Sequence, residues 1–323
     1  MAPAQPDKLL LRVKSISWEA QGICAYELVA IDGSELPPFT AGAHVDLHLP
    51  NGLVRSYSLL NDQTETSRYV VGVNRDPASR GGSRHMHEVL RPGDTLPVSP
   101  PRNNFELNET AEQSVFIAGG IGITPILSMI RRLDALGRDW RLYYCARTRK
   151  NAAFLKVLRD LQGDRDDRIV YNYDGEAGGR LLDMADVVAR AGPAAHVYCC
   201  GPLPMLKAFE AATEQLPDSQ VHVEYFSAAE APSLDGGFTV ELAKSGRSLS
   251  IPQGKSILDA VLDAGVQVPY SCMEGVCGSC ETAVLEGVPE HRDLILSKEE
   301  KASNKTMLIC CSGSKGAKLV LDL

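Results

Sequence analysis

The first hundred residues alternate apolar and polar positions in short runs. Five of these runs follow the two-residue period of a β-strand: LLLRVKSISWE, AGAHVDLHL, RSYSLL, RYVVGVNR and DTLPVS. Turns rich in Pro, Gly, Asn and Asp separate them. Closely spaced strands of this kind are typical of an antiparallel barrel. We therefore predict an antiparallel β-barrel domain over residues 1–109.

The pattern then changes to strands that alternate with helices. Three apolar runs, SVFIAGG, WRLYYCAR and AHVYCCGP, are each followed by a segment with helical spacing: ITPILSMIRRLDALG, NAAFLKVLRDLQ and LPMLKAFEAATEQL. Two further runs, RIVYNYD and QVHVEYF, also have the character of strands. This alternation predicts an α/β domain with a parallel sheet over residues 110–227, and its ligand site should lie at the carboxyl ends of the strands.

A segment of small residues, prolines and glycines, SAAEAPSLDGG, ends the alternation. It predicts a linker over residues 228–237. Beyond it, FTVELA and RSLSIP predict a hairpin, and SILDAVLDAGV has the apolar spacing of a helix. Residues 238–323 are therefore predicted to form a short α+β domain, so that the chain has a multidomain architecture.

Composition and charge exclude several classes of partner. Lys plus Arg number 33 and Asp plus Glu number 41, which gives a formal net charge of -8, and no basic run of the kind that follows nucleic acid is present. The first residues lack the order of a signal peptide, and no apolar stretch approaches the roughly 18 residues of a membrane span. We expect a cytoplasmic protein that binds neither nucleic acid nor a membrane.

The cysteines are concentrated near the end of the chain. Of nine cysteines, five fall between residues 272 and 311. Cys272, Cys277 and Cys280 have the C-x4-C-x2-C spacing of plant-type [2Fe-2S] sites, and either Cys310 or Cys311 could supply the fourth thiolate. Small residues between them leave room for the loop to turn its backbone N–H groups toward the sulfurs. The spacing predicts an iron–sulfur cluster.

Zinc is the alternative metal for such a loop. A structural zinc site usually has two C-x2-4-C pairs, whereas this chain has a single short pair, a four-residue gap and a distant cysteine. The spacing therefore favours the cluster over zinc. A zinc-binding interaction protein remains the non-enzymatic alternative.

The cysteine segment resembles a plant-type ferredoxin, which is a β-grasp domain. Its MLICCS run is similar to the ferredoxin segment in which the ligand cysteine stands two residues before a small residue. This resemblance implies that Cys310 is the fourth ligand and that Cys311 is not. Over its whole length and in its domain order, the chain resembles the phthalate dioxygenase reductase family of the ferredoxin-NADP reductase superfamily.

That resemblance implies a flavin site in the barrel. The strand RSYSLLN is similar to the flavin-binding strand of the superfamily, in which an aromatic ring packs near the flavin and a hydroxyl approaches its N5 atom. The GGS turn in NRDPASRGGS precedes a segment with helical propensity, where backbone N–H groups can bind a phosphate. The family uses such a turn to hold FMN rather than FAD. The implied flavin-binding residues are Arg55, Ser56, Tyr57, Ser58, Asn74, Arg75, Gly81, Gly82 and Ser83.

Two turns in the α/β domain resemble the paired nicotinamide-binding motifs of this reductase superfamily. AGGIGITP ends a strand and opens a helix, and its residues predict Thr124 as the N-cap and Pro125 as the first helical position. It lacks the G-x-G-x-x-G pattern, so a Rossmann dehydrogenase is not indicated. YCCGPLPM is the second turn. The resemblance implies that both turns embrace the nicotinamide, with Cys200 near its reactive carbon and Phe226 against the flavin; the implied residues are Gly119, Gly120, Thr124, Pro125, Cys200, Gly201, Pro202 and Phe226.

The residues themselves and the family resemblance point to different nucleotides, NADPH and NADH. Arg147, Arg149 and Lys150 follow a strand end, where cations could bind a ribose 2′-phosphate. The resembling family uses NADH. We therefore expect NADH, with Asp174 in the nucleotide site and the cations on a solvated loop.

Taken together, the resemblance implies an electron-transfer relay. Electrons would pass from NADH to FMN and then to the [2Fe-2S] cluster, with Ser58 and Cys200 at the site of hydride transfer. The implied acceptor is the terminal component of a Rieske-type non-haem iron oxygenase acting on an aromatic acid or a similar small substrate. A reductase for a cytochrome P450 or another monooxygenase is the alternative enzyme. We expect the reductase to be a monomer.

Overall fold

The structure of the protein is a computed structural model that describes residues 8–77, 79–227 and 231–323. The chain divides into two compact units. The first ends at Phe226 and the second begins at Ser227. Each unit has its own buried apolar core, so each is described by itself.

The first half of the first unit is an antiparallel barrel with one short helix. Its strands run in the order β4-β3-β6-β1-β2-β5. A bridge between Leu59 and Val71 links the two outer strands and closes the sheet. The predicted barrel is therefore confirmed. The elements are β1 (Leu9–Ala20), β2 (Ile23–Ala30), β3 (His44–His48), β4 (Val54–Ser58), β5 (Tyr69–Asn74), α1 (Gly82–Glu88) and β6 (Thr95–Val98).

Strand β2 is absent from the predicted strands. Ala25 and Tyr26 are neighbours in it and are both buried, so the strand lacks the clean alternation that marks a half-buried strand. The Tyr26 hydroxyl donates to the carbonyl of Met86, which ties helix α1 to the barrel. A buried strand with a broken period is hard to recognise from sequence for this reason.

The second half of the first unit is a parallel sheet flanked by helices, as predicted. The five strands run in the order β11-β10-β7-β8-β9, and every neighbouring pair is parallel. Helix α4, whose N-cap is Asp183, was not among the predicted helices. The elements are β7 (Gln113–Gly119), α2 (Ile123–Ala135), β8 (Asp139–Ala146), α3 (Leu155–Gln162), β9 (Ile169–Tyr173), α4 (Met184–Ala191), β10 (His196–Cys200), α5 (Leu203–Thr213) and β11 (Val221–Glu224).

The second unit is a five-stranded sheet with two short helices. The strand order is β13-β12-β18-β14-β16, in which β12 and β18 are parallel, and β15 and β17 form a separate pair. The predicted hairpin corresponds to β12 and β13, and the predicted helix to α6. The elements are β12 (Phe238–Leu242), β13 (Arg247–Ile251), α6 (Ile257–Asp263), β14 (Glu281–Glu286), β15 (Pro289–Glu290), α7 (Lys298–Ser303), β16 (Thr306–Leu308), β17 (Gly313–Ser314) and β18 (Lys318–Leu321).

The predicted linker falls partly outside the described residues, because 228–230 are not among them. Ser233 is buried and its N–H donates to the carbonyl of Cys311 at 2.7 Å. Gly237 donates to Ile251 in the same unit. Residues 231–237 therefore lie against the second unit. Of the helices that the structure describes, none has the length and apolar character needed to cross a bilayer.

Candidate active site and cluster site

Three strand ends of the first unit meet at one point. Ser58 ends β4, Cys200 ends β10 and Glu224 ends β11. The parallel pairing of β10 with β11 places Cys200 directly beside Glu224. The Ser58 hydroxyl donates to Glu224 Oε2 at 3.5 Å, and the Cys200 thiol lies 3.9 Å from the same oxygen. The structure thus brings the two predicted catalytic residues to a shared carboxyl group.

The environment keeps this carboxyl group protonated near neutral pH. Burial raises the pKa of Glu224 to about 8, although the hydrogen bonds from Ser58 and Cys200 act in the opposite direction. Burial and the nearby Glu224 also raise the pKa of the Cys200 thiol well above its usual value. The three side chains therefore form an uncharged hydrogen-bonding group.

Glu224 was not among the predicted site residues. It stands in the segment EYFS, of which only Phe226 was assigned to the site from resemblance. The signal that identifies Glu224 is the strand register, because only the pairing of β10 with β11 places it next to Cys200. Phe226 follows two residues later and is 41% exposed.

The two predicted nicotinamide turns pack against each other. A Cβ atom on Gly119 would lie 2.6 Å from Pro202 and 3.1 Å from the Cα atom of Gly201. A Cβ atom on Gly122 would lie 2.2 Å from the carbonyl oxygen of Cys200. Only glycine fits at such distances, so the close contact between the two turns depends on glycine at positions 119 and 122.

Gly120 differs from its neighbours in these turns. It has a φ of +54°, and no heavy atom lies within 4 Å of the position that its Cβ would take. Its carbonyl accepts a hydrogen bond from the Tyr144 hydroxyl at 3.3 Å. The backbone at Gly120 is therefore open on the side where a ligand could approach.

The prediction for the start of α2 was wrong. The N-cap is Gly122, and Ile123 is the first helical residue. Thr124 lies inside the helix, where its hydroxyl donates to the carbonyl of Ile121 at 2.9 Å, and Pro125 is the third helical residue rather than the first. The reason is the 3-10 turn over Gly120–Gly122, which begins the helical path before the threonine.

Strand β4 carries the predicted flavin residues on alternating faces. A Cβ atom on Gly82 would lie 2.6 Å from Arg55 Nε, so the Arg55 side chain covers the GGS turn. The Ser56 hydroxyl donates to Asp46 Oδ1 at 2.7 Å. The side chain of Ser56 is thus bound within the barrel, whereas Arg55 and the turn come together as expected.

The GGS turn begins α1. Gly81 is the N-cap in the left-handed region, with a φ of +105°. The Ser83 hydroxyl accepts a hydrogen bond from the N–H of Asp76 at 3.2 Å. Arg75 pairs with Glu88 at the far end of the helix, so its guanidinium is directed away from the turn. Asn74 ends β5 and is exposed.

Two loops at the carboxyl edge of the parallel sheet are joined to each other. Asp174 N donates to Ala146 O, and Arg149 N donates to Glu176 Oε1 at 2.7 Å. The Tyr173 ring stacks on its neighbour Tyr171, with centroids 6.2 Å apart. Asp174 is exposed at this edge. The predicted nucleotide residue therefore lies on the expected side of the sheet.

The four predicted cluster ligands form two pairs of thiols in the second unit. Cys272 is hydrogen-bonded to Cys277, and Cys280 is hydrogen-bonded to Cys310. All four side chains are buried. Four thiols in two pairs fit a [2Fe-2S] cluster, because two thiolates bind each of its two irons.

The backbone around these thiols also suits a cluster. The N–H of Glu274 donates to Cys272 Sγ at 3.3 Å, and the N–H of Val276 donates to the same sulfur. The N–H of Gly275 donates to the sulfur of Cys310. Such bonds stabilise sulfurs that carry negative charge. The Cys311 thiol is hydrogen-bonded to Cys310 and also contacts the Leu308 carbonyl, at 3.7 Å.

Zinc would need a different arrangement. Within residues 8–77, 79–227 and 231–323, no group of three or more His, Cys, Asp or Glu side chains is placed to hold a single metal ion. The preference for the cluster rests on the two thiol pairs and on the C-x4-C-x2-C spacing.

Comparisons with known proteins identify both domain types. Residues 116–211 match the oxidoreductase NAD-binding domain, and residues 240–314 match the 2Fe-2S iron-sulfur cluster binding domain. The phenoxybenzoate dioxygenase subunit beta of Ectopseudomonas oleovorans is 53% identical over 313 residues, which cover 97% of each chain. Phthalate dioxygenase reductase of Burkholderia cepacia is 41% identical over 323 residues, which cover 99% of each chain.

Solved structures are similar as well. A phthalate dioxygenase reductase, described as a modular structure for electron transfer from pyridine nucleotides to [2Fe-2S], is 42% identical with a TM-score of 0.75 and 98% coverage of both chains. An intact type IV self-sufficient cytochrome P450 monooxygenase is 38% identical with a TM-score of 0.86. The comparison covers 98% of the present chain and 41% of that protein, so the chain spans less than half of its length.

The barrel, the parallel sheet with its uncharged strand-end site, and the paired thiols define an iron–sulfur flavoprotein reductase. The chain belongs to the phthalate dioxygenase reductase family. It is an NADH-dependent oxidoreductase with FMN and a [2Fe-2S] cluster, and it serves as the reductase component of an oxygenase system. The predicted family, activity and cofactors are thereby confirmed.

Proposed function

We propose that the chain reduces a Rieske-type non-haem iron oxygenase that acts on an aromatic acid or a similar small substrate. One observation carries the choice of acceptor: full-length relatives belong to dioxygenase systems. The Ser58–Cys200–Glu224 group in the first unit and the two thiol pairs in the second support the relay that would serve such an acceptor. Bound FMN would supply the conversion between the two-electron chemistry of a hydride from NADH and the one-electron chemistry of the cluster.

The names of the full-length relatives support the acceptor. The phenoxybenzoate and phthalate proteins both belong to dioxygenase systems, and each matches nearly the whole chain. Both names denote aromatic carboxylates. A fold alone would not identify the acceptor, so the argument depends on these full-length relatives.

We assign the flavin to the barrel side of the strand-end site. Tyr57 would pack against the ring and Ser58 would direct its hydroxyl to N5. The turn at Gly82 would receive the phosphate, because Arg55 covers it and the first N–H groups of a helix have no partner within the helix. The Ser56 hydroxyl donates its proton to Asp46, so Ser56 would offer the flavin its backbone rather than a hydroxyl donor. The remaining members of this proposed pocket are Asn74, Gly81 and Ser83; Arg75 would join them only after releasing Glu88.

We assign the nicotinamide to the two packed turns. Gly120 offers open backbone, and Cys200 ends the strand beside it. Phe226 would cover the flavin where the nicotinamide must stack, and Asp174 would contact the adenosine end. The other members of this proposed site are Gly119, Thr124, Pro125, Gly201 and Pro202.

Glu224 gives this site its protonation behaviour. Because its pKa is about 8, the carboxyl group holds a proton at neutral pH and can exchange hydrogen bonds with Ser58 and Cys200 without adding a charge. A neutral carboxyl group favours the close approach of a second ring to the flavin, since no buried negative charge needs a partner. The strand ends also exclude water, because Ser58 and Cys200 are both buried.

We assign the cluster ligands as Cys272, Cys277, Cys280 and Cys310. The contacts of the thiols support Cys310 over Cys311, because Cys310 is hydrogen-bonded to Cys280, whereas the cysteine that Cys311 is hydrogen-bonded to is Cys310 itself. The spacing alone left these two cysteines open. The Cys311 sulfur lies close to Gly275: a Cβ atom added to Gly275 would be 2.5 Å from that sulfur.

We also propose the wider organisation of the chain. The domains would be an FMN-binding barrel over 1–109, an NAD-binding domain over 110–227, a linker over 228–237 and a ferredoxin domain over 238–323. The protein would be a cytoplasmic monomer with neither nucleic acid nor a membrane as partner. Light scattering should then give a mass near 34.9 kDa; a dimer mass would refute the monomer.

An anaerobic NADH titration tests the relay. Iron, acid-labile sulfide and FMN are counted in the same sample, and absorbance is followed while NADH is added. We expect about two irons, two sulfides and one FMN per chain. NADH should bleach the absorbance of both the flavin and the cluster. Protein that binds zinc and remains colourless after reconstitution would contradict it.

A P450 is the second candidate acceptor. The 38% identity to the self-sufficient P450 monooxygenase over 98% of this chain favours it. Reconstitution separates the candidates: the purified reductase and NADH are mixed in turn with an aromatic-acid Rieske oxygenase and with a P450, and product is measured. Turnover only with the P450 would replace the first proposal by the second.

A further inference from the structure

A buried acidic turn lies under the cluster loop of the second unit. The Asp293 side chain is 0% exposed. Its Oδ2 atom accepts hydrogen bonds from the N–H groups of Ile295 and Leu296, at 3.3 and 2.9 Å. Lys301 Nζ donates to the Asp293 carbonyl at 2.6 Å and lies 3.7 Å from Oδ2. The Asp293 carboxylate therefore organises the turn over residues 293–296.

The turn contacts the cluster loop directly. The N–H of Leu294 donates to the carbonyl of Gly275 at 3.0 Å. Gly275 has a φ of +71°, and a Cβ atom on it would lie 3.1 Å from the Asp293 Cα atom. No larger residue fits between the turn and the loop. The position of the Gly275 peptide is thus set by the turn.

The same peptide reaches the cluster sulfurs. The carbonyl of Gly275 and the N–H of Val276 belong to one peptide group, and that N–H donates to the sulfur of Cys272. The N–H of Gly275 donates to the sulfur of Cys310. A donor on the carbonyl side of a peptide strengthens the bond that its N–H makes. A chain of hydrogen bonds therefore connects the turn to two of the proposed ligands.

The polar groups beside the turn are not satisfied. Asp293 Oδ1 and both ring nitrogens of His291 are buried, and none of the three has a hydrogen-bond partner within the described part of the chain. His291 Nδ1 and Asp293 Oδ1 are 3.6 Å apart. Burial of polar atoms without hydrogen-bond partners costs free energy. A carboxylate that served only to cap a turn would not need to be buried in this way. The placement of Asp293 therefore calls for a reason beyond the turn.

We propose that Asp293 is a positioning residue for the iron–sulfur cluster. By holding the turn, it fixes the Gly275 peptide so that the N–H groups of Gly275 and Val276 point at the ligand sulfurs. Hydrogen bonds to these sulfurs stabilise the added negative charge of the reduced cluster and raise its reduction potential. This inference rests on the cluster ligation proposed above.

A pair of variants isolates this effect. Asp293→Asn and Asp293→Ala both remove the charge, but the Asn side chain still has an oxygen that can accept the two N–H groups. The midpoint potential of the cluster is measured in the full-length protein by a redox titration of its absorbance. We expect the Ala variant to have a more negative potential than the Asn variant. Equal potentials, or a higher potential in the Ala variant, would refute the positioning role.

A further variant and a control complete the experiment. If the Ala variant loses its iron, Asp293→Ser replaces it, because a hydroxyl can accept one of the N–H groups; its potential should lie below that of the Asn variant. Loss of the cluster from both the Ala and the Ser variants, with a full cluster in the Asn variant, also supports the proposal. Asp322, whose carboxylate pairs with Lys244, is the control. Asp322→Asn and Asp322→Ala should have the same potential.

The two proposals fail in different ways. If the wild-type protein lacks iron and sulfide after reconstitution, the ligation itself is wrong. If every variant carries a full cluster and the Asn and Ala variants at position 293 have equal potentials, only the positioning role is wrong.

Discussion

The cluster loop and the strand-end site bring reactive groups together in opposite ways. In the second unit, three of the four proposed ligands lie within nine residues, from Cys272 to Cys280, and local turns of the backbone bring them together. In the first unit, Ser58 and Glu224 are 166 residues apart and meet only because their strands end at the same place. Local spacing reveals the first site. In the second, resemblance implies Ser58 and Cys200, and only the fold reveals that they share Glu224.

The two sites also differ in how they treat charge. The cluster loop surrounds its sulfurs with backbone N–H groups, such as those of Glu274 and Gly275, which suits groups that become negative. The strand-end site buries Glu224 and raises its pKa to about 8, which suits a group that stays neutral. The comparison predicts that damage to one site leaves the chemistry of the other intact.

The largest expected effect is loss of the cluster. Cys277→Ser removes one member of a ligand pair, so reduction of cytochrome c by NADH should be abolished. Reduction of ferricyanide, which accepts electrons from the flavin, should persist. Both rates are measured by absorbance.

Cys311→Ser is the matched control, because Cys311 is equally buried but is assigned no iron. It should keep its iron, sulfide and cytochrome c rate. Equal cytochrome c rates in the Cys277 variant and the wild type would contradict the ligation.

The next effect concerns the strand-end site. Ser58→Ala removes the hydroxyl that donates to Glu224, and the rate of flavin reduction by NADH should fall by roughly 10- to 1000-fold. Stopped-flow absorbance measures that rate. The cluster potential should not change, since the cluster ligands belong to the other unit.

Ser128→Ala serves as its control, because Ser128 is buried and its hydroxyl has no partner among the described residues. Its rate should match that of the wild type. If the Ser58 variant were as fast as this control, the hydroxyl would have no part in the reaction.

A third prediction concerns the packed turns. Gly122→Ala would place a Cβ atom 2.2 Å from the carbonyl oxygen of Cys200, so the backbone must move. The free energy of unfolding of the first unit should fall by about 2–4 kcal/mol. Urea unfolding measures it. Gly316→Ala, in the second unit, adds a Cβ atom with no atom within 4 Å and should lower the free energy of unfolding of its own unit far less. Similar costs for the two variants, each measured on its own unit, would show that the turns are not tightly packed.

A fourth prediction follows from the pKa of Glu224. The ordinary pKa of a glutamate is 4.5, and that of Glu224 in the folded protein is about 8. Between these two pH values, Glu224 holds a proton in the folded protein that it releases in the unfolded chain. The free energy of unfolding should therefore fall as pH rises through this window, and the loss is complete above it. Glu224→Gln removes the titration, so its stability relative to the wild type should rise with pH. A constant difference from about pH 5 to about pH 9 would contradict the raised pKa.

The smallest effect concerns a pair of histidines on the neighbouring strands β10 and β11. His196 Nδ1 and His222 Nε2 are 3.0 Å apart. Asn108 Oδ1 accepts from Thr110, so its Nδ2 donates to His196 Nε2, and His196 in turn donates to His222. This arrangement requires both rings to be neutral.

Burial, and the neighbouring His196, lower the pKa of His222 to about 4. As pH falls from 6.5 to about 4, the unfolded chain takes up a proton that the folded protein does not, so the free energy of unfolding should decrease. His222→Gln should reduce that decrease by roughly 1 kcal/mol. Unfolding curves of the two proteins at about pH 5 and about pH 8 measure it; identical acid sensitivity would show that His222 is not responsible.

The sequence reveals most of the fold but only part of the site. The change of period near residue 110 identifies the barrel and the parallel sheet, because strands and helices have different repeats. Strand β2 is missed because Ala25 and Tyr26 are both buried. The start of α2 is displaced because a 3-10 turn of glycines precedes Thr124.

The residues missed in the sites share one physical property. Glu224 acts through its register partner Cys200, and Asp293 acts through the carbonyl of Gly275. Neither stands in a motif of its own. A residue whose role depends on a neighbour distant in sequence leaves no local pattern, whereas the cysteines carry their ligand chemistry in their spacing.

Electron paramagnetic resonance of the NADH-reduced protein tests the relay most directly. The account predicts that anaerobic NADH produces the signal of a reduced [2Fe-2S] cluster in the wild type and in Cys311→Ser, and that Cys277→Ser gives none. Wild-type protein with a full complement of iron, sulfide and FMN, whose flavin is reduced by NADH while the cluster stays silent, would contradict it.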